Sequence, residues 1–149
     1  MIKQILSTKD QTLSYIADDP VRPYIPASDR IESNKKVFYL TNHDNDVLAI
    51  VCVAFTDSVA TTEQELNLFI GYDTTNICMF YTLWSYASGA GRELALNMIK
   101  YIKENYPQIK RIVTLSPKTE MARRFHIKNG AFELQVNADT VNFEYPLDK

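Results

Sequence analysis

The sequence predicts an α+β domain, and three observations lead to that prediction. Short apolar runs at 36–40 and 47–55 flank the turn formers TNHDND, as in an antiparallel hairpin. The second run is apolar on both faces, which is typical of a central strand covered above and below. Further along, Leu94, Met98 and Ile102 recur at four-residue spacing, which predicts an amphipathic helix of about four turns.

Length and composition narrow the class of protein. The chain has 149 residues, enough for one domain with a real core, and we expect residues 1–149 to form a single domain. The net charge of −2 is made of interspersed charges, so we expect no nucleic-acid partner. No run of about twenty apolar residues occurs, so we expect a soluble, cytoplasmic protein without a membrane partner. Cys52 and Cys78 lie in separate apolar runs, which favours reduced core thiols and no metal site.

The stretch 80–107 carries the strongest local signal. It reads as a strand, then a turn of Gly89, Ala90 and Gly91 with almost no side-chain bulk, then the long helix. A helix N-terminus presents backbone N–H groups without intrahelical partners at the positive end of the helix dipole, and it attracts phosphate. Two glycines before a helix also occur in tight turns that bind nothing, so both interpretations stay open here.

The remaining elements follow from caps, breakers and apolar runs. Residues 8–17 are predicted to form a short helix with Ser7 or Thr8 as cap, before a proline-rich loop at 21–26. Strands are predicted at 66–70, 76–84 and 110–115. Ser116 and Pro117 should begin a second helix that ends at Asn129 and Gly130, and the chain should close with a hairpin of 133–136 and 141–145.

This order of elements resembles the GCN5-related N-acetyltransferases, the GNAT superfamily, from residue 36 to residue 145. The family carries a Gln/Arg-x-x-Gly-x-Gly/Ala turn, and Gly89 and Gly91 match its glycines while Tyr86 stands where Gln or Arg is usual. A later family helix reads Asn-x-x-Ala-x-x-Phe-Tyr-x-Lys-x-Gly-Phe. Four positions of that helix match, and two differ because Thr119 and His126 replace the Asn and Tyr; the matches are Ala122, Phe125, Lys128 and Gly130. The wording of 84–95 and 113–131 is also similar to small acetyltransferase-like proteins of marine phages and bacteria.

The resemblance implies a mixed, mostly antiparallel central sheet flanked by helices on both faces, and an acetyl-CoA co-substrate that needs no metal. The pyrophosphate would lie on backbone N–H groups of the glycine turn and the helix start, namely Ser88, Gly89, Ala90, Gly91, Arg92 and Glu93. The pantetheine arm would run beside Tyr81, Thr82 and Leu83. A backbone N–H near Thr82 or Leu83 would stabilise the tetrahedral oxyanion. Ser116, Thr119 and Phe125 complete the expected cofactor site, although helix capping also explains Ser116 and Thr119.

His126 is the candidate catalytic residue. It occupies the position from which the family tyrosine commonly gives a proton to the leaving thiolate. An imidazolium with a pKa near ~6.5 would serve as that acid at neutral pH. The alternative is that His126 packs beside Phe125 or contacts CoA without transferring a proton. No general base can be chosen among the loop acids Asp18, Asp19, Glu63 and Glu65.

The resemblance therefore implies an acyl-CoA-dependent N-acyltransferase that acetylates an amine by direct attack. The alternative is a non-catalytic GNAT-fold module that binds CoA or another protein, favoured by the departures at Tyr86, Thr119 and His126. Tyr15, Tyr24 and Trp84 are candidates for an acceptor pocket, but aromatics at such spacing also fill cores. A homodimer through the C-terminal hairpin is expected from family habit, because an exposed strand edge tends to be paired.

Overall fold

The computed structural model describes residues 1–68, 71 and 74–147. Within them the chain forms eight strands, two α-helices and three 3-10 helices. The strands are β1 Ile2–Ile5, β2 Lys35–Thr41, β3 Val47–Thr56, β4 Ile77–Ser85, β5 Arg111–Thr114, β6 Ser116–Pro117, β7 Phe132–Val136 and β8 Thr140–Tyr145. The helices are α1 Ala90–Asn105 and α2 Glu120–Lys128, with 3-10 helices at Gln11–Asp18, Ser28–Arg30 and Gln64–Asn67.

The strands form one mixed, mostly antiparallel sheet in the order β1-β2-β3-β4-β5-β8, with β6 and β7 also paired to β8. Only β4 and β5 run parallel among the described strand pairs. That pair is parallel because α1 carries the chain from the end of β4 back to the start of β5. The predicted fold class is confirmed.

The core lies on both faces of the sheet, as the sequence of β3 predicts. Val51 and Val53 pack with Leu94 and Met98 of α1 on one face. Ile50, Cys52 and Ala54 point to the opposite face, where they pack with Leu13 and Ile16 of the first 3-10 helix. Alternation along the strand thus divides an uninterrupted apolar run between two layers.

Two predictions about the first third of the chain need correction. The helix predicted at 8–17 is instead a 3-10 helix at Gln11–Asp18. It begins after Asp10 because the Asp10 carboxylate, and not Ser7 or Thr8, caps it by accepting from Thr12 N at 2.9 Å. Strand β1 was not predicted. Its four residues alternate too briefly to signal a strand, and pairing with β2 places them in the sheet.

Two further predictions concern the second half of the fold. Ser116 does not cap α2; Ser116 and Pro117 form β6 against β8, and Thr119 caps the helix instead. The Thr119 hydroxyl accepts from Ala122 N at 3.2 Å. The strand predicted at 66–70 begins inside the 3-10 helix Gln64–Asn67, and its residues 69 and 70 lie outside the described residues.

Candidate functional site

The site begins where β4 and β5 separate. The two strands pair from Ile77 with Arg111 to Phe80 with Thr114, and Leu115 N donates to Phe80 O at 2.9 Å. Beyond that point β4 continues to Ser85, whereas Ser116 and Pro117 of β6 pair with β8 and not with β4. Backbone groups on the far half of β4 therefore lack a β5 partner, and a cleft of about 610 Å³ opens beside them.

A β-bulge in β4 marks the same place. Phe80 pairs with Val53 and Thr82 pairs with Cys52, so Tyr81 is an extra residue with no opposite number in β3. A bulge bends its strand and redirects the adjacent backbone. The carbonyl of Tyr81 faces the Arg22 guanidinium, which donates a hydrogen bond to it. The bulge thus directs the middle of β4 toward the cleft and the loop that follows the first 3-10 helix.

Most of the predicted site residues border this cleft. Its lining includes Tyr81, Thr82, Leu83, Gly91, Ser116, Thr119, Phe125 and His126. Gly91 lies between two of its walls, because a Cβ built there would be 3.4 Å from both Leu83 Cδ2 and Phe125 Cε1. The structure also lines the cleft with residues that the sequence did not mark, among them Pro20, Val21 and Met121. No local motif distinguishes these three, since only the fold brings them to the opening.

The glycine turn forms the N-terminal end of α1. Gly89 is the N-cap residue with φ 78°, a left-handed conformation that favours glycine. Two of the six expected N–H groups are used within the protein: Ala90 N donates to Ala87 O, and Glu93 N donates to Gly89 O, each at 3.1 Å. Among the described residues, the N–H groups of Ser88, Gly89, Gly91 and Arg92 have no acceptor. Four of the six amides expected to bind phosphate are therefore without a partner in the described part of the chain.

The side chain of Arg92 points to α2 and ties the two helices together. Its Nη1 donates to Lys128 O at 3.1 Å and to Asn129 Oδ1 at 2.9 Å. Tyr86 likewise serves another element, because its hydroxyl donates to Asp18 Oδ2 at 2.7 Å and accepts from Trp84 Nε1 at 3.0 Å. The residue at the family's Gln/Arg position thus connects β4 to the 3-10 helix Gln11–Asp18.

His126 is buried in the wall of the cleft, with 9% of its surface exposed. Its Nδ1 lies 2.7 Å from the Tyr145 hydroxyl, and its ring stacks on Phe143 with centroids 5.3 Å apart. Burial lowers the pKa of His126 to about 4. An apolar surrounding disfavours the charged ring, whereas the expected acid near pKa 6.5 requires it. A catalytic role of His126 stays a prediction.

The four candidate bases are all engaged with other groups. Asp18 accepts from Tyr86, and the Thr61 hydroxyl and N–H hold the pKa of Glu65 below its ordinary value. Glu63 accepts from Arg22 Nε at 2.9 Å and from the Tyr24 hydroxyl. Asp19 belongs to a buried network with Arg30 and Thr82.

A network of buried charges anchors the proline-rich loop against the bulge. Asp19 Oδ2 accepts from Arg30 Nη1 at 2.6 Å, and Asp19 Oδ1 accepts from Thr82 Oγ1 at 2.9 Å. Burial alone would raise the pKa of Asp19, but the N–H of Arg22 and the Arg30 guanidinium hold it below its ordinary value. Sequence reasoning missed Arg30, since an isolated arginine in a loop carries no signal of burial.

A second cavity of about 480 Å³ lies on the other side of the bulge and shares Tyr81 with the cleft. Three carboxylates line it, from Asp29, Glu32 and Glu63, together with one ammonium group from Lys35. Tyr24 lines this cavity, whereas Trp84 lines the cleft. In the described part of the chain, no group of three or more His, Cys, Asp or Glu side chains lies close enough to hold a metal ion.

Comparison with solved structures identifies the architecture. Tetrahymena GCN5 superimposes with a TM-score of 0.68 at 10% sequence identity, covering 99% of this chain and 96% of that one. A GNAT-family protein from Desulfovibrio desulfuricans superimposes with a TM-score of 0.66 at 11% identity, covering 99% of both chains. The chain has a GNAT-like fold. At these identities the likeness extends to the fold, and the narrower similarity to marine phage proteins stays a prediction.

The same fold occurs in part of a larger enzyme. A malonyl-CoA decarboxylase from Rhodopseudomonas palustris superimposes with a TM-score of 0.76 at 17% identity, covering 99% of this chain and 60% of that one. This chain spans 34–61% of the length of the malonyl-CoA decarboxylases it matches.

No family model matches the sequence, and no curated protein matches it. None of the helices in residues 1–68, 71 and 74–147 has the length and apolar character needed to cross a membrane.

Proposed function

We propose that this chain is an acyl-CoA-dependent N-acyltransferase that transfers an acetyl group to an amine. One observation carries the proposal: Gly91, in the first turn of α1, lines the cleft beside β4, and it is one of four residues at that helix end whose backbone N–H groups have no acceptor among the described residues. Such an end binds the phosphate groups of a nucleotide without a metal. The cleft gives a narrow thioester arm an apolar wall, formed by Leu83, Leu115 and Phe125.

In this proposal the bulge in β4 positions the thioester carbonyl. A backbone N–H near Thr82 or Leu83 donates to the carbonyl oxygen as it becomes an oxyanion, a contact worth ~3 kcal/mol in other enzymes. The amine nitrogen attacks the carbonyl carbon, the carbon–sulfur bond breaks, and the electron pair leaves with sulfur. The proton lost by nitrogen passes to water, since each candidate base is already engaged.

The second cavity supports a cationic acceptor. The cavity is lined by three carboxylates and one ammonium group, which favours a positively charged ligand. Tyr81 lines both the cavity and the cleft. Glu63 is already paired with Arg22, which leaves Asp29 and Glu32 to attract the ligand. An ammonium held there must lose a proton before it attacks, so acceptor turnover should rise with pH.

Isothermal titration with acetyl-CoA tests the cradle, using Gly89→Asp and the matched control Gly89→Asn. Asn and Asp have the same shape and both tolerate the left-handed conformation of Gly89, and open space surrounds the position. The two variants therefore differ in one charge. A carboxylate about 6 Å from a doubly charged pyrophosphate costs roughly 1.4 kcal/mol even at the dielectric of water, which is about tenfold in Kd.

We expect Gly89→Asn to bind within a few-fold of wild type and Gly89→Asp to bind at least tenfold more weakly. Equal binding by both variants would contradict the proposed position of the phosphates at the start of α1. No binding by the folded wild type would refute the transferase proposal and favour a fold reused for protein contacts. Binding without turnover on any amine would favour the non-catalytic CoA-binding alternative.

A second candidate is decarboxylation of a malonyl-type thioester, which the similarity to malonyl-CoA decarboxylases favours. That reaction needs an oxyanion donor at the same carbonyl but no amine. The two candidates are separated by incubating the protein with malonyl-CoA and with acetyl-CoA plus an amine panel. Release of CO₂ without an amine indicates decarboxylation, and amine-dependent release of free thiol indicates transfer.

A further inference from the structure

A chain of polar side chains leads from the exposed Arg92, at the start of α1, through buried residues to the wall of the cleft. Arg92 donates to Asn129 Oδ1 at 2.9 Å, Asn129 lies beside the Tyr145 hydroxyl, and that hydroxyl lies 2.7 Å from His126 Nδ1. Asn129, Tyr145 and His126 are 8%, 2% and 9% exposed. Because water has little access, the protons of this chain must be arranged among its own members.

The arrangement can be derived from the Arg92 end. A guanidinium has only donors, so the Asn129 atom that faces it must be the carbonyl oxygen. The opposite atom, Nδ2, is therefore a donor, and it points away from Arg92. Nδ2 is the one Asn129 side-chain group that can donate to the Tyr145 phenol, and a contact from the Asn129 side chain opposes the rise that burial causes in the pKa of that phenol. The contact does not reach full hydrogen-bond geometry, since Nδ2 is one of three buried polar side-chain atoms without a partner among the described residues.

The Tyr145 proton then has one destination. Its oxygen faces the donor Nδ2, so the hydroxyl hydrogen is free to be donated, and His126 Nδ1 is the acceptor that the described residues offer it. If Nδ1 carried a hydrogen instead, the Tyr145 hydrogen would be buried without an acceptor, which is costly. A neutral ring that accepts at Nδ1 must carry its hydrogen on Nε2.

The other ring nitrogen reaches the cleft. His126 lines the cleft, and Nε2 has no hydrogen-bond partner within the described part of the chain. It is also absent from the three fully buried unpartnered atoms, which are Asn34 Oδ1, Tyr81 OH and Asn129 Nδ2. Nε2 therefore keeps accessible surface, and its hydrogen is available to a ligand in the cleft.

We propose that Tyr145, positioned by Asn129 and Arg92, holds His126 in the neutral Nε2–H tautomer, so that His126 donates a hydrogen bond into the cleft without giving up a proton. If the proposed function holds, the acceptor of this bond is the thioester sulfur. As nitrogen attacks and the carbon–sulfur bond breaks, the electron pair and negative charge collect on sulfur, and the Nε2–H bond to sulfur strengthens. The thiolate leaves as an anion and later takes its proton from water, so His126 is neither oxidised nor deprotonated.

The tautomer is read by two-bond ¹H–¹⁵N correlation spectra of histidine-labelled protein at pH 7. The chain has two histidines, and the exposed His43 is removed by His43→Asn. We expect the remaining ring to show the pattern of a hydrogen on Nε2 and a bare Nδ1. Tyr145→Phe should convert it to a mixture of the two tautomers, whereas Tyr39→Phe, a control on β2, should leave it unchanged. A hydrogen on Nδ1 in the parent protein overturns the proposal, as does a Tyr145→Phe spectrum that is unchanged.

The same sample separates this inference from the proposed function. Adding CoA should shift the Nε2 hydrogen downfield, and adding desulfo-CoA, which lacks the sulfur, should bind with a smaller shift. If neither ligand binds, the acyltransferase proposal fails while the tautomer assignment stands. If both ligands bind with equal shifts, the sulfur contact is overturned.

Discussion

Replacing Arg30 with Met should strongly destabilise the fold, because Arg30, in the 3-10 helix Ser28–Arg30, holds the proline-rich loop at 21–26 in place. The Arg30 side chain is fully buried and donates to Asp19 Oδ2 and to Arg22 O, each at 2.6 Å, and to Ile25 O at 3.1 and 3.2 Å. Met fills a similar volume but leaves the Asp19 carboxylate buried without its partner cation. The residues that hold Tyr81 and Thr82 in place would then lose their support.

The expected magnitude follows from the loss of one partner of a buried ion pair, which costs about 3–5 kcal/mol. We expect about 3 kcal/mol, because the surface loop can rearrange and let water reach the carboxylate. Against a total stability of about 5–15 kcal/mol this leaves the fold marginal. For a chain of this size each kcal/mol shifts Tm by about 2–4 °C, so Tm should fall by about 6–12 °C.

Urea unfolding of Arg30→Met, Asp19→Asn and the double variant measures the effect and its origin. The double variant should be more stable than the sum of the single losses predicts, by about 0.5–3 kcal/mol, because its partners are removed together. A loss below about 1 kcal/mol in Arg30→Met, or strictly additive losses, would refute the assignment of Arg30 as the anchor of this loop. Lys36→Met on β2 serves as a control for cation removal outside the network.

The remaining predictions concern α2. His126 has a folded pKa of about 4 against an ordinary value of 6.5, so the unfolded chain binds more protons between those values. His126 therefore does not lower the free energy of unfolding above about pH 6.5, and it lowers that free energy by roughly 3 kcal/mol in total as pH falls toward 4. His126→Gln should reduce this dependence on pH in urea midpoints measured from pH 7 to 4. An unchanged dependence would contradict the burial argument. Thr119→Ala removes the cap of α2 and should cost about 1 kcal/mol in the same assay, whereas Thr119→Ser should cost a few tenths, and equal losses would show that the hydroxyl does not cap.

Much of the fold could be predicted because its signals are local. The apolar run of β3, the four-residue spacing of α1 and the left-handed Gly130 that ends α2 are each legible over a few residues. Where the local sequence was compatible with two kinds of secondary structure, pairing with a neighbouring strand decided which one formed. Ser116 and Pro117 satisfy the rule for a helix start, yet they form a strand because they pair with β8. Strand β1 forms because it pairs with β2.

The candidate site divides in the same way. The sequence by itself determined the glycine turn before α1 and the histidine on α2, because both follow from residue types at fixed spacing. Only the tertiary structure decided that the Arg92 side chain is bound to Asn129, and that His126 is buried against Tyr145. Protonation state and free hydrogen-bonding capacity depend on what surrounds a group, and residues distant in sequence supply those surroundings.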